Sequence, residues 1–322
     1  MGFKVVVENY DVILATYNGE SYIIDQLKSI ERQTLPPSHI YIGDDGSTDR
    51  TISIISEWIK SSSVHSTFIP SLKRPLGCLR NFERLLSIST ATYVMLSDQD
   101  DIWYPDKAIN LLRSIRTLEY QYGYNIPLLA YSDLQIVDSI ENIVSSSYFN
   151  FQHINPYNNH WLMIALQNVV SGCACLINRK CIDLALPFPD EIVMHDWWLA
   201  LVASKSGKVI YFPETTISYR QHQNNLVGAK SFSTLLLRRL VSFSDHTFID
   251  KHIGRPIYQL QALANRFTVD QLSLNNSIRD LSSSGLVTRL LAALRLRLRK
   301  HGIIRTMLFY LLLVFWNPND QS

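Results

Sequence analysis

Tyr93-Val94-Met95-Leu96 runs into Ser97-Asp98-Gln99-Asp100-Asp101-Ile102-Trp103. Apolar, β-prone residues that end in clustered acids describe a buried strand delivering carboxylates to its carboxyl end. Open α/β sheets place their ligands at that edge. Carboxylates crowded this closely repel one another unless a cation lies between them. Their hard oxygens suit Mg²⁺ or Mn²⁺, which would in turn hold a diphosphate. A lone Asp-X-Asp triplet also occurs as a solvated acidic turn, so the rest of the chain has to decide.

Working back towards the start, Asp11 to Ala15 reads as a strand, Thr16-Tyr17-Asn18-Gly19-Glu20 as a turn and Ser21 to Gln33 as a helix. The helix carries Ile23, Ile24, Leu27 and Ile30 close to helical spacing. Ile40 to Gly43 is a second strand, Asp44-Asp45-Gly46-Ser47-Thr48-Asp49 a polar turn, and Arg50 to Lys60 a second helix capped from Ser47, Thr48 or Asp49. Strand and helix alternating at this pace predict a parallel sheet with right-handed crossovers. Both strands end in polar turns on one edge, where a nucleotide would meet Thr16, Tyr17 and Asp45 together.

These three motifs, in this order and spacing, resemble the signatures of family 2 glycosyltransferases over residues 11 to 225. The resemblance implies the GT-A fold, a nucleotide-diphospho-sugar donor, a divalent metal and inversion at the anomeric carbon. It is similar in particular to the bacterial subgroup that builds O-antigen and capsule, in which rhamnosyltransferases are frequent. On that footing the donor is dTDP-rhamnose or a UDP-sugar, and the acceptor a glycan, free or linked to undecaprenyl diphosphate. The donor contacts are Thr16, Tyr17, Asn18, Glu20, Asp45, Arg74 and Asp98, with Gly172 beneath the sugar. Arg80 is placed like Arg74, and both also fit solvated surface positions.

The resemblance places metal ligation on Asp98 and Asp100, completed by His222 in Tyr219-Arg220-Gln221-His222-Gln223-Asn224-Asn225. Imidazole is an acceptable Mn²⁺ ligand, although a lone histidine is often structural. Met194-His195-Asp196-Trp197-Trp198 supplies the base that an inverting transfer needs. Asp196 stands at a helix start beside aromatic walls, where it could remove the acceptor's proton. The same residue could simply cap the helix. The usual family form is Glu-Asp; His195-Asp196 keeps the base and changes its neighbour. Trp103-Tyr104-Pro105-Asp106-Lys107 reads as the start of the next helix, with Pro105 and Asp106 suited to its first turn.

Composition sets the remaining bounds. The 322 residues are 47% hydrophobic and 18% charged, enough for one large α/β domain, residues 1–225, and a helical region, 226–322. A net charge of +2 argues against nucleic acid as a partner. Cys78, Cys173, Cys175 and Cys181 match neither zinc spacing nor a disulfide framework, so reduced thiols and a cytoplasmic location are expected. The first residues show no basic-then-apolar pattern, so no secretory signal is expected. Ile303 to Trp316 is apolar but interrupted by Arg305, and it is shorter than the ~20 residues of a spanning helix. With Arg289, Arg295, Arg297, Arg299 and Lys300 nearby, it reads as an interfacial anchor on the inner face of the cell membrane. Packing against the catalytic domain, or against a second copy in a homo-oligomer, is the alternative.

The acids also raise other classes. A metal-dependent phosphatase would need Asp-X-Asp ahead of Thr on an early strand, and Asp44-Asp45-Gly46 lacks that form; a nucleotidyltransferase likewise uses paired acids. An inactive GT-A relative serving as an assembly partner has no need of Asp98, Asp100 and Asp196. The absence of Gln-X-X-Arg-Trp argues against a processive synthase.

Overall fold

The computed structural model describes residues 9–222, 245–267, 272–283 and 285–318. Lys4 to Val7, which read either as a short strand or as chain along the surface, the segment Gln223-Asn224-Asn225 and the leucine-rich run Leu235 to Leu240 lie outside the described residues. Among the described residues, nine strands form one mixed sheet: β1 (Tyr10–Thr16), β2 (His39–Asp44), β3 (Ser66–Ile69), β4 (Tyr93–Ser97), β5 (Ile102–Trp103), β6 (Leu128–Val137), β7 (Ile143–Ser145), β8 (Cys175–Asn178) and β9 (Lys208–Arg220). Their order is β3-β2-β1-β4-β8-β6-β9-β5, with β7 paired to β6.

The first four strands pair in parallel, as the alternation of elements predicts. Val12, Ile13 and Leu14, and all of Tyr93 to Leu96, are fully buried. Helices cover a parallel sheet on both faces, so its strands read as unbroken apolar runs. Here α1 (Ile23–Glu31) buries Ile23, Leu27 and Ile30, α2 (Thr51–Ser61) buries Ile55 and Trp58, and α3 (Cys78–Ile88) buries Phe82, Leu85 and Leu86. Parallel pairing brings the polar ends of β1, β2 and β4 to one edge.

Beyond β4 the sheet departs from the parallel expectation. β8 runs antiparallel to both β4 and β6, while β6 pairs parallel with β9. β8 begins at Cys175, directly after a short 3₁₀ turn, Gly172–Ala174, and the Cys175 thiol donates to the Gly172 carbonyl at 3.2 Å. β9 is continuous from Lys208 to Arg220, with a register shift that steps past Pro213 and Glu214. A bulge of this kind accommodates a residue that cannot donate to the ladder.

The remaining helices before residue 222 are α4 (Lys107–Tyr122), α5 (Tyr148–Gln152), α6 (Trp161–Leu166), α7 (Arg179–Ala185) and α8 (His195–Ser206). The chain divides into two compact units. One comprises residues 1–148, 170–187 and 206–229, and the other 149–169, 188–205 and 230–322. Thus 149–169 and 188–205, which the sequence reading assigns to the first domain, cluster with the C-terminal helices.

Within the second unit the tail is a packed element. Helix Ile303–Phe315 buries Arg305, Leu308, Phe309, Leu312 and Leu313. The Arg305 guanidinium donates to the carbonyls of His153, at 2.8 Å, Gln152 and His301. Arg289 donates to the Trp316 carbonyl at 2.8 Å, and Lys300 to that of His252 at 3.2 Å. Three of the six basic residues expected to face a membrane are therefore buried and bonded internally. Amphipathic periodicity hides this, because it does not distinguish a buried arginine that satisfies carbonyls from an exposed one. No described helix is long and apolar enough to cross a membrane.

Candidate active site

The site begins where β1, β2 and β4 end. Gln99 ties the first to the last: its Oε1 accepts from Thr16 Oγ1 at 2.6 Å and from the Tyr17 amide at 2.9 Å, and its Nε2 donates to the Tyr17 carbonyl at 3.0 Å. Gly19 makes room for this clamp, since a Cβ there would lie 2.3 Å from Gln99 Oε1. Gly19→Ala should displace the amide and cost about 1–3 kcal/mol, read as a lowered urea midpoint. An unchanged midpoint would mean that the clamp adds nothing to stability.

The turns after β1 and β2 bind one another. The Asn18 amide donates to Ser47 Oγ at 2.8 Å, and Asn18 Oδ1 accepts from the Thr48 amide at 2.9 Å. Glu20 accepts from the Arg50 amide at 2.9 Å, and Asp49 from the Glu20 amide at 3.1 Å. Asn18 and Glu20 thus order the two turns. Asp45 accepts from the amides of Leu76 and Gly77 at 2.6 and 2.7 Å, which holds the 70–77 loop over the end of β2. Arg74 is exposed on that loop, and Arg80 pairs with Glu83 at 2.6 Å. Tyr17, 52% exposed, offers an aromatic face at the same edge.

Below these turns lies the acidic loop. One ligand atom each from Asp98, Asp101 and Cys173 lie within 4.8 Å of one another. Asp100 turns to His222, with Oδ2 and Nε2 2.8 Å apart. The His222 ring stacks on Tyr22 at 4.8 Å between centroids, and the Arg220 guanidinium lies 4.7 Å from the same tyrosine ring. Arg220 also donates from its amide to Asp101 Oδ1 at 3.1 Å and from Nε to the Asp100 carbonyl at 3.0 Å. The end of β9 therefore fastens the acidic loop through main chain and side chain alike.

Burial and the neighbouring Asp100 and Asp98 raise the Asp101 carboxyl well above the usual carboxylate range. Burial, with Asp101 and Asp98 nearby, raises the Cys173 thiol as well, so it stays protonated. Lys107 is fully buried behind this cluster, 3.5 Å from the centre of the Trp103 ring, and donates to the Cys173 carbonyl. Burial lowers its ammonium to about 7, against the opposing pull of Cys173 and Asp101. Asp98 is thus grouped with Asp101 and Cys173, whereas Asp100 is paired with His222. Carboxylate oxygens suit Mg²⁺ or Mn²⁺, and imidazole is an acceptable ligand of Mn²⁺.

The family model for glycosyl transferase family 2 matches residues 11–182. The chain belongs to that family. Among its relatives, the dTDP-rhamnosyl transferase RfbG of Shigella flexneri is 33% identical over 67% of this chain and 74% of its own length. The UDP-Glc:alpha-D-GlcNAc-diphosphoundecaprenol beta-1,3-glucosyltransferase WfaP of Escherichia coli is 27% identical over 71% of this chain and 84% of its own. A mannosyltransferase of Pyrobaculum calidifontis, solved with GDP-Man and Mn²⁺, superposes with a TM-score of 0.54 at 15% identity, covering 89% of this chain and 73% of that one. That likeness is one of fold, the GT-A fold.

In this glycosyltransferase the buried Gly172 opens the 3₁₀ turn that carries Cys173 to the acids. Asp196 belongs to the second unit, in the first turn of α8, where its Oδ1 accepts from the Trp197 amide at 2.6 Å. Its neighbour His195 is buried, and burial pushes its imidazole down to about 3. The unfolded chain takes up that proton from about pH 6.5 and the folded chain does not, so stability falls as pH drops through this range. His195 alone should cost roughly 2 kcal/mol between pH 6.5 and 5. His195→Gln should remove that part of the slope, measured as urea midpoints against pH; an unchanged slope would refute it.

The sequence reading assigned no role to Gln99, Asp101, Tyr22, Cys173, Lys107 or Arg220. For Lys107 a signal existed. It shares the buried stripe of α4 with Ala108, Leu111, Leu112 and Ile115, a position where a lysine calls for an explanation.

Proposed function

We propose that this glycosyltransferase moves a sugar, with inversion, from a nucleotide-diphospho-sugar to a glycan in surface polysaccharide (O-antigen or capsule) assembly, with a divalent metal at the acidic loop. The observation that supports the reading is the placement of the acidic loop at the carboxyl end of β4, beside the ends of β1 and β2, with the end of β9 bringing His222 to Asp100. Bound there, Mn²⁺ or Mg²⁺ would neutralise the charge that develops on the departing diphosphate. Thr16, Tyr17 and Asp45 would receive the nucleoside, Arg74 the diphosphate, and Gly172 would leave room for the sugar. Asp196 would accept the acceptor hydroxyl's proton as that oxygen attacks the anomeric carbon.

The names of RfbG and WfaP support dTDP-rhamnose or a UDP-sugar as donor, and that of WfaP an acceptor linked to undecaprenyl diphosphate. A lipid-linked acceptor favours work at the cytoplasmic face of the membrane. Donor consumption by the full chain, measured for dTDP-rhamnose and a set of UDP- and GDP-sugars with and without EDTA, tests the reading. One donor should be consumed in the presence of Mn²⁺ or Mg²⁺ and spared in EDTA. Consumption insensitive to EDTA would overturn the metal's role, and binding of no nucleotide sugar by calorimetry would overturn the donor class.

A further inference from the structure

The second unit keeps a large apolar surface in the open. On helix Ile303–Phe315 the residues opposite the buried face are Ile303, Ile304, Met307, Leu311, Val314 and Phe315, all exposed, with Ile303 at 79% and Met307 at 67%. Their spacing traces one helical stripe. Helix Leu286–Arg295 exposes a second set, Leu286, Val287, Leu291 and Leu294, with Val287 at 69%. The two helices pack together, and Tyr310 donates to the carbonyls of Ala293 and Leu298. Exposed apolar side chains in this number, on adjoining helices, exceed the scatter normal for a protein surface.

Charge says what would cover them. Arg295, Arg297 and Arg299 are exposed, in contrast to the bonded Arg289, Lys300 and Arg305. From residue 281 to residue 319 the sequence contains no Asp or Glu. An apolar stripe beside exposed arginines, in a stretch of sequence with no acid of its own, is complementary to an anionic bilayer, where the stripe enters the acyl boundary and guanidinium groups meet phosphate.

We infer that the exposed faces of helices Leu286–Arg295 and Ile303–Phe315, with Arg295, Arg297 and Arg299, dock this enzyme on an anionic lipid surface. The inference extends the reading of a lipid-linked acceptor, and its test needs neither acceptor nor turnover. The full chain is sedimented with vesicles of phosphatidylcholine alone and of an equimolar mixture with phosphatidylglycerol. Binding should require phosphatidylglycerol and weaken as salt rises. The triple variant Arg295→Gln/Arg297→Gln/Arg299→Gln should partition on the order of 100-fold less well. Ile303→Glu/Met307→Glu, placed on the exposed stripe, should also lose binding while the circular dichroism spectrum and the unfolding midpoint stay unchanged.

Equal binding to both vesicle types, or binding indifferent to both variants, would overturn the inference. So would a stable dimer in vesicle-free ultracentrifugation that Ile303→Glu/Met307→Glu disperses, since a second copy would then cover the face. Donor binding measured on the same variants separates this outcome from failure of the catalytic reading, because none of these residues belongs to the proposed donor site.

Discussion

Asp100→Ala should reduce sugar transfer by at least about 10²-fold and weaken Mn²⁺ binding in parallel, because electrostatic stabilisation of a leaving diphosphate is commonly of that size. Asp100 sits at the junction of the acidic loop and the end of β9, 2.8 Å from His222. Removing its carboxylate takes away one proposed ligand and the partner of another. Calorimetric titration of the full chain with Mn²⁺ reads the effect directly, without substrate. Asp100→Asn separates shape from charge: it preserves the contact with His222 and should still lose the metal. Retention of both Mn²⁺ affinity and turnover in Asp100→Ala would remove the acidic loop from the mechanism.

Asp196→Asn should lower kcat by about 10²–10⁴-fold while the donor dissociation constant stays the same. The amide keeps the shape of the carboxylate and cannot accept the acceptor's proton. The competing role is structural, because Asp196 accepts from the Trp197 amide in the first turn of α8 and faces the positive end of that helix. The two roles predict opposite patterns. A residue that only ends the helix would lose about 1 kcal/mol of stability with turnover nearly unchanged. Single-turnover kinetics beside an unfolding curve of the same variant distinguish them.

Much of the donor edge is legible in the sequence because it is made locally. Val12 to Ala15 and Tyr93 to Leu96 are apolar without interruption, and each is followed at once by its polar turn. The helices between them show their buried faces by period. What was not legible depends on pairing across long separations. Gln99 lies 83 positions from Thr16, and nothing in the string Asp-Gln-Asp says that its amide, and not an acid, joins the strands. Arg220 reaches Asp100 and Asp101 from the far end of β9. The position of β8 between β4 and β6 also reverses the local strand direction, which alternation of elements alone does not reveal. In the tail, the apolar stripe was legible, but the burial of Arg289, Lys300 and Arg305 was not. Their partners are main-chain carbonyls, such as those of His153, Gln152 and His252, which leave no trace in side-chain patterns.

The division of the chain into interleaved units has a consequence for its synthesis. All segments of the first unit precede residue 230, whereas the second unit draws its middle segments together with residues 230–322. At about 5–20 residues per second, those last residues take roughly 5–20 s to emerge from a ribosome. During that time the segment bearing Asp196 lacks the partners it meets in the finished protein: Gln259, which accepts from the Val193 amide at 3.0 Å, and Arg266, whose guanidinium lies 5.6 Å from the Trp198 ring. A nascent chain stopped near residue 230 would hold every proposed donor and metal ligand and still lack the packing that orders its proposed base. Capacity to bind the donor would thus arise before capacity to use it, and a truncated product of interrupted translation would hold its nucleotide sugar without transferring it.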